Sequence, residues 1–530
     1  MRMPKQFTLD LRGKLICDLF AGGGGASCGI EQATGLYVDI AVNHDAQAIS
    51  MHTANHPQTR HFQTDVFDVD PAQACGGRPV GLLHLSPDCT HHSQAAGGQP
   101  RSNAVRSLSW VGKRWAAQVR PEVITLENVK QITRWGRLVA KRDKASGRVI
   151  KTDGTIAAAG ECVPVRQQYL VPDPKRTGER WQKFVHELEK LGYAVEWRIL
   201  CAADYGAPTT RERLFMVARR DGLPIVWPEP THFRRPAKGQ KKWRGAAGCI
   251  DWTLAGKSVF DRPKPLAENT LKRIAKGIKK FVLDNPQPFV TGTRAAVLIN
   301  AAHGEGSGAS RRRGIGSRDI TQPVGTVTAS GNGGHALACA YLMQANDGFN
   351  STFGRDAAEP LTTITNSGSQ QQLISACLIR QFGASTGSDI SEPVGTVMSD
   401  GGGGKTSLAV CELGSAKERA LRVADFLIRY GEGFSDGLDT EGRLKTVTLH
   451  IGGEPYYITD ITLRMLEPKE LYKAQGFPDS YIYDRDGSGR PLTKTAQVRM
   501  CGNSVSPPPM AALIRANYHP EEALDEQQAA

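Results

Sequence analysis

Short apolar blocks at residues 15–20, 37–42, 81–85 and 123–126 punctuate the first 130 residues, each bounded by turn-forming residues. Blocks of four to six residues have strand length, and the stretches between them, such as the one continuing from 29–33, read as helices. Strands alternating with helices predict βαβ units and a mainly parallel, doubly wound sheet. From about 135 to 180 the pattern fades into a basic excursion containing Lys141-Arg142 and Lys175-Arg176. It resumes as a helix at 181–191 and two strands at 194–200 and 213–218.

Residues 231–460 differ in character, being rich in Gly, Ser, Thr and Asn and in short β-prone runs. A repeat runs through them: QPVGTVTASGNGG from Gln322, EPLTTITNSGSQQ from Glu359 and EPVGTVMSDGGGG from Glu392. Each unit reads as a turn, a strand and a polar loop. A β-rich domain with duplicated hairpins and no further meaning would give the same pattern. Helical patterning returns at 461–518, followed by a polar tail at 519–530. The simplest organisation is an α/β domain over 1–230, with a basic insertion at about 132–180, interrupted by a second domain over 231–460 and completed by 461–518.

Composition narrows the function classes only slightly. With 66 Lys and Arg against 53 Asp and Glu the formal charge is +13, which favours a polyanionic partner. Eleven cysteines include no C-x-x-C pair, so no zinc framework is visible and no metal is expected. Residues 1–14 carry no apolar core of signal-peptide length, and no apolar run approaches membrane-spanning length. Reduced thiols and a cytoplasmic location are therefore expected, which permits a catalytic cysteine.

The run Asp18-Leu-Phe-Ala-Gly-Gly-Gly-Gly-Ala-Ser-Cys-Gly29 follows a strand and opens a helix. Glycines there allow close backbone approach to a ligand, and a helix N-terminus offers unpaired N–H groups. By itself such a turn could hold a dinucleotide, a phosphate or a methyl donor. The Walker lysine is absent, which disfavours a nucleoside triphosphate. The run is similar to the first motif of the DNA (cytosine-5) methyltransferases of bacterial or phage type, D-x-F-x-G-x-G-G-x-x-x-G. That resemblance implies S-adenosylmethionine as cofactor, wrapped by Asp18, Phe20, Gly22 and Gly24. It further implies that Asn43, standing where the family carries a glutamate, meets the ribose, that His44 stacks on adenine and that Asp65 reads the adenine amino group.

Leu85-Ser-Pro-Asp-Cys89-Thr lies in a loop after a strand end, where open α/β sheets place ligand chemistry. Carbon 5 of cytosine is a poor nucleophile, and thiolate addition at carbon 6 makes it enamine-like. Cys89 is the candidate nucleophile, and Glu127, in Glu127-Asn128-Val129 one strand further on, would donate a proton to N3. The segment resembles the family's P-P-C-Q motif with two departures, Asp88 and Thr90; Pro87 keeps the first proline. An Asp88 carboxylate facing the thiol would oppose its ionisation.

Three further segments continue the resemblance in family order. Tyr205-Gly-Ala-Pro-Thr-Thr-Arg211-Glu-Arg213 is similar to Y-G-x-P-Q-x-R-x-R, with Thr209 for glutamine, and implies that Arg211 and Arg213 lie near the target base. Arg464 to Pro478 resembles the late, mainly structural R-x-L…E…Q-G-F-P motif. Gly502-Asn503-Ser504-Val505 resembles the G-N-S-V motif that completes the donor pocket.

The family places target recognition between the first and second of these. Thr326, Thr363 and Thr396, one per repeat, are the expected base-reading residues, and Gly97-Gly98 followed by Arg101 and Arg106 suggests a closing basic loop. The resemblance thus implies a Rossmann-like, S-adenosylmethionine-dependent domain with a smaller inserted β-rich target-recognition domain. It would be a monomer acting on double-stranded DNA, with a cognate restriction endonuclease as candidate partner and no membrane association. Two alternatives remain: an RNA cytosine-5 methyltransferase of the same fold, and a catalytically idle DNA-binding homologue.

Overall fold

A computed structural model of the chain describes residues 13–88, 102, 108–260, 262–288, 290–291, 294–300, 317–318, 335–344, 377–378, 416–431, 433–451 and 454–520. They divide into two compact units, one drawn from Met1–Tyr205, Glu212–Thr231 and Phe477–Ala530, the other from Gly206–Arg211 and His232–Gly476.

The first unit is built on a sheet of order β3-β2-β1-β4-β5-β9-β8. Strands β1 (Leu15–Leu19), β2 (Ile40–Val42), β3 (Arg60–Phe62), β4 (Val80–Leu85) and β5 (Val123–Asn128) run parallel. Strand β9 (Glu212–Arg219) is antiparallel both to β5 and to β8 (Ala194–Cys201), so β8 points the same way as β5. A separate ribbon of β6 (Leu138–Ala140) and β7 (Leu170–Pro172) lies within the excursion between β5 and β8.

Alternation along the central strand explains why both faces are covered. Leu15, Cys17 and Leu19 enter one core with Val111 and Trp115 of helix α4 (Trp110–Gln118) and Trp181 and Phe184 of α5 (Glu179–Glu189). Ile16 enters the opposite core with Ile30 of α1 (Gly25–Thr34) and Met510 and Leu513 of α11 (Pro507–Asn517). Side chains of period two on a strand leave by opposite faces, so a strand buried throughout must be sandwiched. Helix α5 shows the complementary logic: its buried residues Trp181, Phe184, Val185 and Leu188 recur at helical spacing and form one stripe. Helices α2 (Ala46–Asn55) and α3 (Pro71–Cys75) are each capped by an aspartate, Asp45 and Asp70, accepting from backbone N–H groups of the first turn. Helix α10 (Lys494–Asn503) precedes α11.

In the second unit a mainly antiparallel sheet runs β12 (Lys257–Ser258), β19 (Glu454–Met465), β16 (His335–Gln344), β14 (Arg294–Asn300), β13 (Val290–Thr291). Strands β15 (Ser317–Arg318), β17 (Cys377–Leu378) and β18 (Thr448–Ile451) add to it, β10 (His232–Phe233) pairs with β11 (Lys241–Lys242), and helices α6 (Glu268–Ile278), α7 (Ala416–Tyr430) and α8 (Thr440–Lys445) belong to the same unit. The late Arg464–Glu470 motif is structural in this unit. The guanidinium donates to both carboxylate oxygens at 2.7 and 2.8 Å, both side chains are buried, and Glu470 also completes the capping box of α9 (Pro468–Ala474). The three repeats beginning at Gln322, Glu359 and Glu392 lie outside the described residues.

Candidate active site

Four loops leave the carboxyl ends of β1, β2, β4 and β5 along one edge of the first unit's sheet, the edge at which doubly wound sheets bind ligands. Backbone bonds hold them together: Ala21 N–H donates to Val42 O, Asn43 N–H to Phe62 O, and Ser86 N–H to Leu19 O.

The first loop turns sharply. Phe20 adopts φ +65° and Gly24 φ +97°, left-handed conformations that a glycine holds without strain. The turn is packed from below. A Cβ on Gly24 would lie 2.7 Å from both His56 Nε2 and Tyr481 Oη, and Tyr481 donates to Gly23 O. A Cβ on Gly25 would collide with Ser504 Oγ and Val505 O, so α1 and the segment after α10 meet backbone to backbone. Of the predicted residues, Gly24 is packed within this turn, Ser504 packs on the adjoining Gly25, Gly22 has no close neighbour, and Asn503 is exposed.

Beneath the turn lies a polar chain. Ser27 Oγ donates to Asp18 Oδ2 at 2.7 Å, His52 Nε2 stands 2.9 Å from Ser27 Oγ, and His61 Nε2 is 2.8 Å from His52 Nδ1. With the serine proton on Asp18, each histidine in this chain donates through Nε2. His52 is completely buried, and that burial holds its pKa well below the ordinary histidine value, so it is neutral. Asp18 is also completely buried, and its Oδ1 has no hydrogen-bond partner among the described residues. Burial lifts its pKa to about 7, against the opposing effect of the Ser27 hydrogen bond. Alongside, His56 Nδ1 meets Glu31 at 2.7 Å. Ser27, Glu31, His52, His56 and Tyr481 were not expected from sequence. The only local signal was the four-residue spacing of His52 and His56, which puts the last turn of α2 and its C-cap residue on one side.

The loops after β2 and β3 hold other residues expected at the donor. Asn43 Oδ1 accepts from Asp45 N–H, whose own carboxylate caps α2 and pairs with Arg499. His44 and Asp65 are exposed, and Asp65 also accepts from Phe67 N–H.

Glu127 is the penultimate residue of β5, and Arg213 is the second residue of the neighbouring β9. Arg213 Nε lies 3.1 Å from Glu127 Oε1, with both side chains nearly buried. The adjacent Asn128 Nδ2 donates to Pro87 O at 2.9 Å and its Oδ1 accepts from Val129 N–H, tying the carboxylate strand to the loop that leads into Cys89. Asp88 is exposed. Arg211 is buried in the short segment that groups with the second unit. On β4, His84 is completely buried with Nδ1 2.9 Å from Thr125 Oγ1, and burial drops its pKa to about 3. Cys89, Thr90, Arg101, Arg106, Thr326, Thr363 and Thr396 lie outside the described residues. Among the described residues no group of His, Cys, Asp or Glu could hold a metal, and no helix is long and apolar enough to cross a membrane.

The profile of the family described as C-5 cytosine-specific DNA methylase matches residues 15–138, 173–287 and 410–519. The chain is 25% identical over 237 residues to the type II methyltransferase M.SacI of Streptomyces achromogenes, a match covering 41% of this chain and 50% of that one. It is likewise 25% identical over 224 residues to M.AquIA of Picosynechococcus, covering 41% and 77%. The chain thus spans about half the length of M.SacI. Among solved structures, a mutant of Spodoptera frugiperda DNMT2 aligns over 96% of this chain and 100% of its own at 15% identity and a TM-score of 0.42.

Proposed function

The chain belongs to the C-5 cytosine-specific DNA methylase family, and from that premise we propose that it methylates carbon 5 of cytosine in duplex DNA, with S-adenosylmethionine as donor and Cys89 as covalent nucleophile. The observation that carries this reading is the tie between Asn128 and the Pro87 carbonyl. It fastens the strand bearing Glu127 to the segment two residues ahead of Cys89, so one bond couples the acid to the nucleophile loop.

The donor-side residues fit their proposed ligand. A buried carboxylate oxygen without a partner among the described residues, Asp18 Oδ1, suits a cationic group, and at Gly22 the turn leaves backbone open, an added Cβ meeting nothing nearer than Phe20 O at 4.0 Å. Asp18, Phe20, Gly22, Gly24, Asn43, His44, Asp65, Pro87, Asn503 and Ser504 would hold S-adenosylmethionine, which supplies an electrophilic methyl group.

On the substrate side, the target cytosine leaves the duplex at a cost of a few kcal/mol. The Cys89 thiolate then forms a bond to C6 while Glu127 delivers a proton to N3, so that C5 gains the electron density of the former C5–C6 double bond. Arg213 fixes the Glu127 carboxyl for that transfer, and Arg211 assists at the base. After C5 takes the methyl group it loses its proton to solvent, the C5–C6 double bond re-forms, Cys89 departs from C6 as the thiolate and N3 returns its proton to Glu127. Thr326, Thr363 and Thr396 would read the target sequence and Arg101 and Arg106 would close over it. A monomer working in the cytoplasm, with a cognate restriction endonuclease sharing its site, completes the proposal.

The test is donor-dependent trapping on a duplex carrying 5-fluorocytosine, which cannot lose its C5 substituent as a proton. The wild type should form a denaturant-stable protein–DNA adduct, and Cys89→Ser should form none. An adduct on an RNA hairpin but not on duplex DNA would reassign the substrate. No adduct on either would leave a DNA-binding protein without this chemistry.

A further inference from the structure

The excursion at residues 136–177 is not absorbed by the reaction, and most of it, 139–172, falls in a gap of the family match. Its composition is lopsided: nine Lys and Arg against four Asp and Glu, a net of +5 in a chain whose total is +13. The structure fixes where those acids sit, because all four are bound within the excursion's own turns. Asp143 accepts from the Ser146 hydroxyl and N–H, Asp153 from the Thr155 hydroxyl and N–H, and Asp173 from Lys175 N–H. Glu161 accepts from Ala158 N–H and pairs with Lys151. By contrast Lys144, Arg166, Lys175 and Arg176 are exposed and form no ion pair among the described residues.

The excursion is also anchored. Gly136 sits so close to Arg176 O that a Cβ would collide with it, Asp173 N–H donates to Arg137 O, and Arg180 N–H donates to Trp135 O. Trp135 is buried against Trp110 and Phe184. A closed neck on an aromatic base gives the small ribbon of β6 and β7 and its turns a fixed point of attachment.

Topology decides where that point lies. Because β8 points the same way as β5, the helix α5 between them must run back against both, and its N-terminus stands at the carboxyl end of β5. The excursion leaves just after Glu127-Asn128 and re-enters at that N-terminus. It therefore rises from the same sheet edge as Glu127 and the glycine turn.

We infer that the 136–177 excursion is a phosphate-gripping surface that holds the DNA backbone beside the reacting strand end. The inference rests on duplex DNA being the substrate. Its cations add affinity without reading sequence, since phosphate contacts position a protein and base contacts specify.

The experiment compares wild type with a variant carrying Lys144→Gln, Arg166→Gln, Lys175→Gln and Arg176→Gln. Binding to cognate and unrelated duplexes is measured between roughly 0.05 and 0.2 M salt, where counterion release shows as a log–log slope. Thermal unfolding and donor affinity serve as the check on folding. The expected result is about 10- to 100-fold weaker binding at low salt, equal for both duplexes, with a log–log salt slope shallower by about 2 to 4. An unchanged slope and affinity in a folded variant would overturn the inference while leaving the methyltransferase reading intact. A wild type with no salt-dependent affinity for duplex DNA would sink that reading first, and this inference with it.

Discussion

Arg213 Nε and Glu127 Oε1 face each other at 3.1 Å across neighbouring antiparallel strands, with each side chain about 9% exposed. Removing one member of such a pair leaves a charge with little water around it. Arg213→Ala should lower stability by about 3 kcal/mol, and the freed carboxyl should drift enough to slow methyl transfer about 100-fold. Urea unfolding and single-turnover assays would measure the two effects. A variant as stable and as fast as wild type would mean that the pair neither stabilises the fold nor orients the acid.

Gly25 and Gly35 make a matched contrast. At Gly25 an added methyl collides with Ser504 Oγ and Val505 O, whereas at Gly35 it meets nothing within 4 Å and the only difficulty is φ +71°. Gly25→Ala should cost about 1–3 kcal/mol and weaken donor binding, while Gly35→Ala should cost about 1 kcal/mol and spare it. Denaturation midpoints and calorimetric titration with the donor would separate them.

Asp18 predicts a proton-linked donor site. Its pKa in the fold, about 7, stands above the ordinary carboxyl value of about 3.9. For a raised acid, the native state holds its proton longer than the unfolded chain does. The associated stability is therefore complete below about pH 4 and is lost as pH rises to about 7. A cationic ligand favours the ionised form, so donor affinity should rise roughly 10-fold per pH unit below 7 and level off above it, with proton release on binding. Asp18→Asn should flatten both dependences, as read by titration calorimetry in buffers of different ionisation heat.

His84 works in the opposite direction. Its pKa of about 3 in the fold lies below the ordinary value of about 6.5, so the stability it permits is present above 6.5 and is lost as pH falls toward 3. At pH 5.5 the loss should be about 1.4 kcal/mol. His84→Gln should remove that share of the acid sensitivity, measured as the change in urea midpoint between pH 7.5 and 5.5.

Strands β1, β4 and β5, with the loops that follow them, were legible because continuous apolar runs ending in Gly, Pro or Asn are what two-sided burial demands. The direction of β9 was not, since an apolar run looks the same whichever way its strand points. Nor could sequence show that Arg211 and Arg213, two residues apart in one motif, fall in different compact units. The Asp18–Ser27–His52–His61 chain escaped notice because its members come from β1, α1, α2 and β3. Arg499, which pairs with Asp45, is 454 residues away from it. The excursion was recognised by charge, but the internal use of its acids depends on turns whose hydrogen bonds no composition reveals.

The seat of Gly25 is made by Ser504 and Val505, which the ribosome reaches 479 residues later. At about 5–20 residues per second that delay is about half a minute to a minute and a half. A nascent chain therefore carries its sheet long before it has a finished cradle. A product terminated before Ser504 would lack the seat of Gly25, and the proposed methyl transfer should be absent from it.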